Sequence, residues 1–562
     1  MLKRFLEINV NTKGRPKDAK TSKNYLIFKN NNLKICEDDS FFKKHFGQHP
    51  VIFIDYKPLT ESTSFNSMLD LFKIILRKTF LQHEYLLQVK KLWVGSLNSK
   101  KFTQYIDPEM NENLTILDIK QGLIYLSEIL YKHFQKKIFI LIDEYDSYLN
   151  SMIFKTVSEI DEICNFIQSV NMNLLKYNDY LNRAVITGVL RVSGVELSAP
   201  GNNVKEYLFL RNYAMDKFFG ITEYEIDDLL LKLIPDKSEI NKTKQKLFRY
   251  YGGYTGLKYN TTIYNIWSVL NFLENDQQAI TYWCRPEYVQ GLLPIFGLEE
   301  IQQKIEDLLS DKTIVLDIAT PLTKHSISSI NFLLKGKQTS QQSVLWFFNF
   351  IFELGYLSVR DANSNDLTSI YVKIPNLEVK LEFAHIMRLV YMKQHDISLN
   401  NIDALNTAIN SISSENVNHV FFEICKSLNN LFGQLKYHPK NENHFRSILL
   451  VSFMTKFHSV KSNVFNPIPP SYIDVLLCNE NRVYFIMKIK KSLSTIRAYR
   501  EQIAVNSHKE IILKGYINYL DMKSRNKVVY LGIGYSIDKN ISIGYSYYLK
   551  EGDNLGYTKI LS

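Results

Sequence analysis

Long apolar runs are missing from this chain of 562 residues. No stretch reaches 18 apolar residues without a charge, so no membrane-spanning helix is expected. The N-terminus, MLKRFLEINV, is basic and then mixed, without the apolar core of a signal peptide. Cysteine is sparse too. Cys36, Cys164, Cys284, Cys425 and Cys478 lie far apart, odd in number and with no C-x-x-C. That argues against a disulfide framework or a cysteine-rich zinc site and fits a reducing compartment. The 12 histidines contain no H-E-x-x-H, and the scarce Gly (22) and Pro (14) form no low-complexity linker. These absences leave a soluble, cytoplasmic protein with no membrane partner as the expectation.

What is present suits two to four globular domains. The apolar share is 45%, in the ordinary range. The net charge of +11 permits contact with nucleic acid or another acidic surface.

Short β-branched runs alternate with helical patterns. PVIFIDY (50–56), KIFILID (137–143) and RAVITG (183–188) read as buried strands. Residues 65–93, 117–134 and 153–178 carry helical spacing, and 11–24 reads as a loop. Strands apolar on both faces, separated by helices, predict an α/β fold with a parallel sheet. From 235 to 435 the pattern is mainly helical, with a glycine-bearing turn at YGGYTGLKYN (251–260). KYHPKNENH (436–444) is the best boundary before a small α/β unit. That unit holds a helix (442–458), strands at 472–478 and 483–490 joined by the turn NENR, a basic helix (493–520), and strands at 528–536 and 540–549.

The second strand stops at Asp143 and Glu144. Acids at a strand's C-terminal end lie in the crevice where α/β sheets bind ligands. In nucleotide hydrolysis the first, Asp143, binds magnesium and the second, Glu144, polarises the attacking water. The bland alternative is that acids solvate a strand end. Thr187, with Arg191 close behind, ends the third strand as a sensor of the γ-phosphate would; the bland alternative is a simple turn. A phosphate loop needs G-x-x-x-x-G-K-[ST], because backbone amides must cradle the phosphates. None is present. GRPKDAKT (14–21) has Ala19 in place of the second glycine and no strand before it, and GKQT (336–339) lacks the first glycine.

The stretches MLKRFLEI, KHFGQHPVIFIDYK, IFILIDEYDSYLN, VITGVLRVSG, NNVKEYLFL, FFGITEYEI and YNIWSVLNFL occur in that order over residues 1–275. In wording and order they resemble the AAA-ATPase-like family that carries a C-terminal PD-(D/E)XK nuclease-like domain. The resemblance implies a P-loop-NTPase-like parallel sheet, with ATP and Mg2+ as cofactors. In that family MLKRFLEI follows the phosphate loop, so the first strand and the P-loop are missing here. A start upstream of Met1 and a decayed gene are the two explanations. The gap would leave the sheet open or filled by another strand. ATPases of this broad class often assemble through neighbouring subunits, so a homo-oligomer is a further expectation, with Arg191 serving at the interface or as a local sensor.

The C-terminal unit resembles the restriction-endonuclease-like fold of that nuclease class. Such a site needs an Asp on one strand and acid-x-Lys on the next, facing one metal. Asp474 matches the first acid. In MKIKK no acid is present: either Met487 and Ile489, or Lys488 and Lys490, occupy the two positions. The second register keeps Lys490 as the catalytic lysine but places Lys488 where a metal ligand belongs. Glu442 and Gln502 sit where the family places auxiliary residues, Glu442 as a further metal ligand; a solvated helix face explains both. The run Lys488, Lys490, Lys491, Arg497, Arg500 offers phosphate contacts to DNA or RNA, or simply a basic surface.

Three domains are therefore expected: 1–234 AAA-ATPase-like, 235–435 helical and 436–562 nuclease-like. Three functions are open: a member of this family impaired at both sites, a fragment of an active ATP-dependent nucleic-acid-processing protein, or a protein-interaction scaffold.

Overall fold

Val51–Asp55 (β1), Ile138–Asp143 (β2) and Leu181–Ile186 (β3) form a parallel sheet in the order β1-β2-β3. The computed structural model describes the whole chain except residues 32, 95–96, 155–158, 192–203, 212–214, 258–261, 284–285, 318–321, 338–339, 363–368, 396, 437, 440, 455, 458, 468–469, 515–526, 551–552 and 554–557. The fold is mixed α/β, with this small parallel sheet and many helices.

Alternation along β1 and β2 sends successive side chains to opposite faces. Val51, Phe139 and Leu141 meet Phe5, Leu6, Phe28, Phe42 and Phe46 on one face. The helices Phe65–Leu81 and Ile116–Phe134 pack on β1 and β2 respectively. Leu2–Leu6 forms a short helix, whose apolar Phe5 and Leu6 are buried, and it is tied to the approach to β1 by Gly47 N–H to Phe5 O (2.8 Å) and His49 N–H to Leu6 O (2.9 Å). Ile116–Phe134 opens on a Thr115/Asp118 capping box and closes at Gln135 in the left-handed region, which turns the chain into Lys136, Lys137 and β2.

Some expectations need correction here. RAVITG is not a buried strand: β3 begins at Leu181, and Val185 is 41% exposed. The reason is position, since among the described residues no strand pairs with β3 beyond β2. The helix expected over 65–93 ends at Leu81 and gives way to two 3-10 turns, Glu84–Gln88 and Lys90–Trp93. The loop expected over 11–24 contains a 3-10 turn at Ala19–Thr21, and the next helix already begins at Lys23, capped by Ser22. GRPKDAKT falls in this segment, outside any strand–loop–helix setting. Residues 338–339 of GKQT lie outside the described residues.

The chain divides into two compact units, Met1–Leu208 with Ile318–Leu354, and Phe209–Asp317 with Gly355–Ser562. In the first, Lys324–Leu334 packs against the helix Ser147–Phe154, and Asn331 Nδ2 donates to Met152 O at 3.0 Å. The second unit is richer in sheet than a mainly helical pattern predicts. Ile221–Thr222 (β4), Tyr254–Thr255 (β5) and Thr262–Tyr264 (β6) form one small antiparallel sheet. Ile314–Asp317 (β7), Ser358–Ala362 (β8) and Ser369–Lys373 (β9) form another.

Six strands follow in sequential order: Ser459–Pro467 (β10), Pro470–Cys478 (β11), Val483–Ser492 (β12), Lys527–Ser536 (β13), Ile541–Tyr548 (β14) and Lys559–Leu561 (β15). Only β12 and β13 are parallel, and the helix Arg497–Leu513 crosses between them. That helix is shorter than the 493–520 expected, and residues 515–526 lie outside the described ones. It lies directly on the sheet. A Cβ on Gly532 would stand 2.3 Å from Ala504 O, so only glycine allows this approach. On the other face Phe421 stacks on Tyr545 (3.8 Å between centroids), and Phe445 on Phe432 (3.7 Å) and Tyr535 (4.4 Å).

Candidate functional site

The parallel register sets Asp55 beside Asp143, so β1 and β2 end in carboxylates at the same level. The buried run of β2 ends abruptly there, and Asp143 is exposed. Its Oδ1 accepts from Thr187 Oγ1 at 2.5 Å and from the Glu144 amide at 3.1 Å. Asp143 and Thr187 are thus brought together. Glu144 sits at φ +51°, a left-handed conformation that costs a non-glycine residue about 1 kcal/mol. Ser147 holds the tight turn, its amide donating to Glu144 O (3.0 Å) and its hydroxyl to Glu144 Oε2 (2.9 Å).

The residue that ties this strand end together is Asp146, to which sequence reasoning gave no role. It is 2% exposed and accepts from the Leu190 amide at 2.6 Å and the Val189 amide at 3.2 Å. Burial raises its pKa, against the pull of those amides. Tyr145 adds a hydroxyl bond to Leu190 O (2.6 Å) and an amide bond to Thr187 O (3.0 Å). Gly188 has no room for a side chain: a Cβ would lie 2.4 Å from both Asp146 Oδ1 and the Tyr145 ring. The legible signal was the third acid in DEYD, followed 42 residues later by a glycine at the next strand's end. Arg191 donates through Nε to Glu206 Oε2 at 3.3 Å, and its carbonyl accepts from Leu322. Residues 192–194 of VITGVLRVSG lie outside the described residues.

The second candidate site lies in the C-terminal sheet. Val475 pairs with Met487, which sets Asp474 beside Lys488. Asp474 is 8% exposed. Lys488 Nζ stands 3.4 Å from its Oδ1, Arg446 Nη1 3.7 Å from the same atom, and the Ile489 amide donates to Oδ2 at 2.7 Å. Burial raises the Asp474 pKa, and Lys488 opposes this most. Arg446 also acts on half-buried Glu306, which accepts from Tyr391 and Ser447, so the charges form one connected group.

The remaining residues go elsewhere. Lys490 pairs with Glu510, which also binds Lys514 at 2.7 Å. Burial works against ionisation of Glu510, but the two ammonium groups hold its pKa down to about 2. Glu442 accepts from the Lys491 amide at 3.1 Å. Gln502 is exposed and bonds Asn506 one turn on. Among the described residues no group of three or more His, Cys, Asp or Glu is placed to hold a metal ion. Among them, too, no helix is long and apolar enough to cross a membrane.

The first of these sites falls in a stretch with a recognisable likeness. Residues 17–198 match the model of an AAA-ATPase-like family, described as a predicted AAA-ATPase. The match covers β1, β2, β3 and the Asp143 strand end, and supports an AAA-ATPase-like domain there. No curated protein matches the chain.

Proposed function

We propose that this is an AAA-ATPase-like protein with a nuclease-like C-terminal domain, and that the chain hydrolyses neither ATP nor phosphodiesters. The observation that carries this reading is the pairing of Asp474. The carboxylate that would hold a divalent cation already faces the Lys488 ammonium and the Arg446 guanidinium. Two positive charges within 4 Å repel a further cation, so Mg2+ does not fit there and no cleavage step is derived. The nuclease-like part of the reading is supported by the sheet itself: a helix, an antiparallel hairpin carrying Asp474, then a helical crossover to a parallel strand.

At the other site half of the machinery fits. Asp143 would hold Mg2+ and Glu144 would orient water, and the ion when bound would supply charge neutralisation at a phosphate. Asp146 would keep that strand end rigid from below, and Thr187 would fix the Asp143 carboxylate. The triphosphate does not fit, because the sequence holds no G-x-x-x-x-G-K-[ST] from which the amide cradle that grips it is built.

Phosphate release from Mg-ATP by the full chain is expected at background. Turnover abolished by Glu144→Gln would overturn the first half of the proposal. Nicking of supercoiled plasmid with Mg2+ or Mn2+ is likewise expected to be absent, and nicking that Asp474→Ala silences would overturn the second.

A further inference from the structure

The N-terminal ends of β1, β2 and β3, opposite the Asp143 end, carry a different chemistry. An open cleft of about 530 Å³ is lined there by Lys44, Gln48, Lys136, Lys137 and Asn182 among others. A second cleft, about 430 Å³, shares Gln48 and Lys136 with it and adds Lys17, Lys20, Lys29 and Lys43. The two therefore form one strip, with seven lysines against the two aspartates Asp18 and Asp39. Lys29 and Lys43 share Asp39. Lys17, Lys20, Lys44, Lys136 and Lys137 have no carboxylate partner among the described residues. Lys136 instead donates to the Gln48 carbonyl at 3.2 Å.

The basic run of the C-terminal unit is built otherwise. Lys488 faces Asp474, Lys490 faces Glu510, Arg497 faces Glu501 at 2.8 Å and Arg500 faces Asp538 at 3.9 Å. Those charges are neutralised within the fold, and the strip's are not. Unneutralised lysines along a concave surface raise the local concentration of anions.

We propose that this strip binds the phosphate backbone of single-stranded nucleic acid without regard to sequence. Charge selects the partner: lysines without carboxylate partners among the described residues, spread over separate elements along an open strip, suit a flexible chain of phosphates whose successive groups can each turn to a cation. Gln48 and Asn182 add neutral hydrogen-bond donors between the lysines. His49 adds no charge near neutrality: burial, with His45 and Lys136 nearby, lowers its pKa to about 4. The proposal depends on neither hydrolytic site.

The test is fluorescence anisotropy of the full chain with a labelled mixed-sequence single-stranded DNA of about 20 nucleotides, titrated across salt. Each phosphate contact contributes about −0.7 to the slope of log K against log salt. Lys44→Gln/Lys136→Gln/Lys137→Gln should therefore lower the slope's magnitude by about 2, making binding about 100-fold weaker at 0.1 M salt if the two lines meet at 1 M. Arg497→Gln should change affinity by less than about twofold. Absence of wild-type binding at about 50 mM salt, a slope unchanged in the triple variant, or a loss confined to Arg497→Gln overturns the proposal. So does a triple variant that keeps its DNA affinity but loses phosphatidylserine vesicles or polyglutamate. These positions are exposed, and an unchanged circular dichroism melt confirms that the variant is folded.

Discussion

Lys488→Met isolates the contact on which the reading of the C-terminal sheet turns. At 3.4 Å and an effective dielectric near 20, the Lys488–Asp474 attraction is about 5 kcal/mol before desolvation is counted. Arg446 at 3.7 Å and the Ile489 amide at 2.7 Å remain, so the carboxylate is not abandoned. The loss also has a ceiling, because Asp474 can bind a proton instead. Starting from an ordinary value of 3.8, protonation costs about 4 kcal/mol at pH 7 and less than about 2 kcal/mol at pH 5. Removing the ammonium raises a folded-state pKa that burial has already raised. The variant's penalty is therefore small near the unfolded value and grows as pH rises. The expected loss is about 2–4 kcal/mol at pH 7 and about 1–2 kcal/mol at pH 5. Asp474→Asn/Lys488→Met, which removes both charges, should cost about 1 kcal/mol or less. Urea unfolding of the full chain, followed by hydrogen exchange of the amides in β11 and β12, reads this sheet alone. A penalty below about 1 kcal/mol at pH 7, or one that does not shrink at pH 5, refutes the buried-pair argument.

Two other perturbations test the packing around the sites. Gly188→Ala pushes a methyl into Asp146 and Tyr145 and should cost about 1–3 kcal/mol, seen as faster exchange of the Val189 and Leu190 amides; unchanged exchange would show that the strand ends are not locked. His508, buried between Ser546 (2.8 Å) and Thr558 (3.0 Å), has its pKa lowered by burial from 6.5 to about 4. The unfolded chain binds the extra proton between those values, so its contribution is complete above pH 6.5 and falls by up to about 3 kcal/mol as pH drops toward 4. Calorimetric melts between about pH 7 and pH 5 should flatten in His508→Gln, and an identical pH slope would reject the assignment.

Much of the first unit was legible along the chain. Val51–Asp55 and Ile138–Asp143 are apolar runs that any buried strand would show, and both lie where their patterns placed them. β3 was legible as a strand but not as an edge, because its neighbours are set by distant segments. β10 was not legible: SVKSNVFNP mixes polar residues with proline, and among the described residues it pairs as a strand against β11 alone. The helix from Phe65 stops early because the chain turns at His83, which is 2% exposed; one face of an amphipathic pattern does not announce such a turn.

The amino-acid order by itself determined that a buried strand ends in Asp143 and Glu144, that no phosphate loop stands in these 562 residues, and that no acid stands in MKIKK. These are properties of neighbours along the chain, readable as composition and period. Tertiary structure decided what each charge meets. Strand register put Lys488, rather than Met487, beside Asp474; helix packing gave Lys490 to Glu510; and the turn after β2 drove Asp146 beneath the amides of Val189 and Leu190. A charge's energy depends on burial and on partners within a few ångströms, and those partners stand from 14 (Lys488 and Asp474) to 44 (Leu190 and Asp146) residues away in sequence.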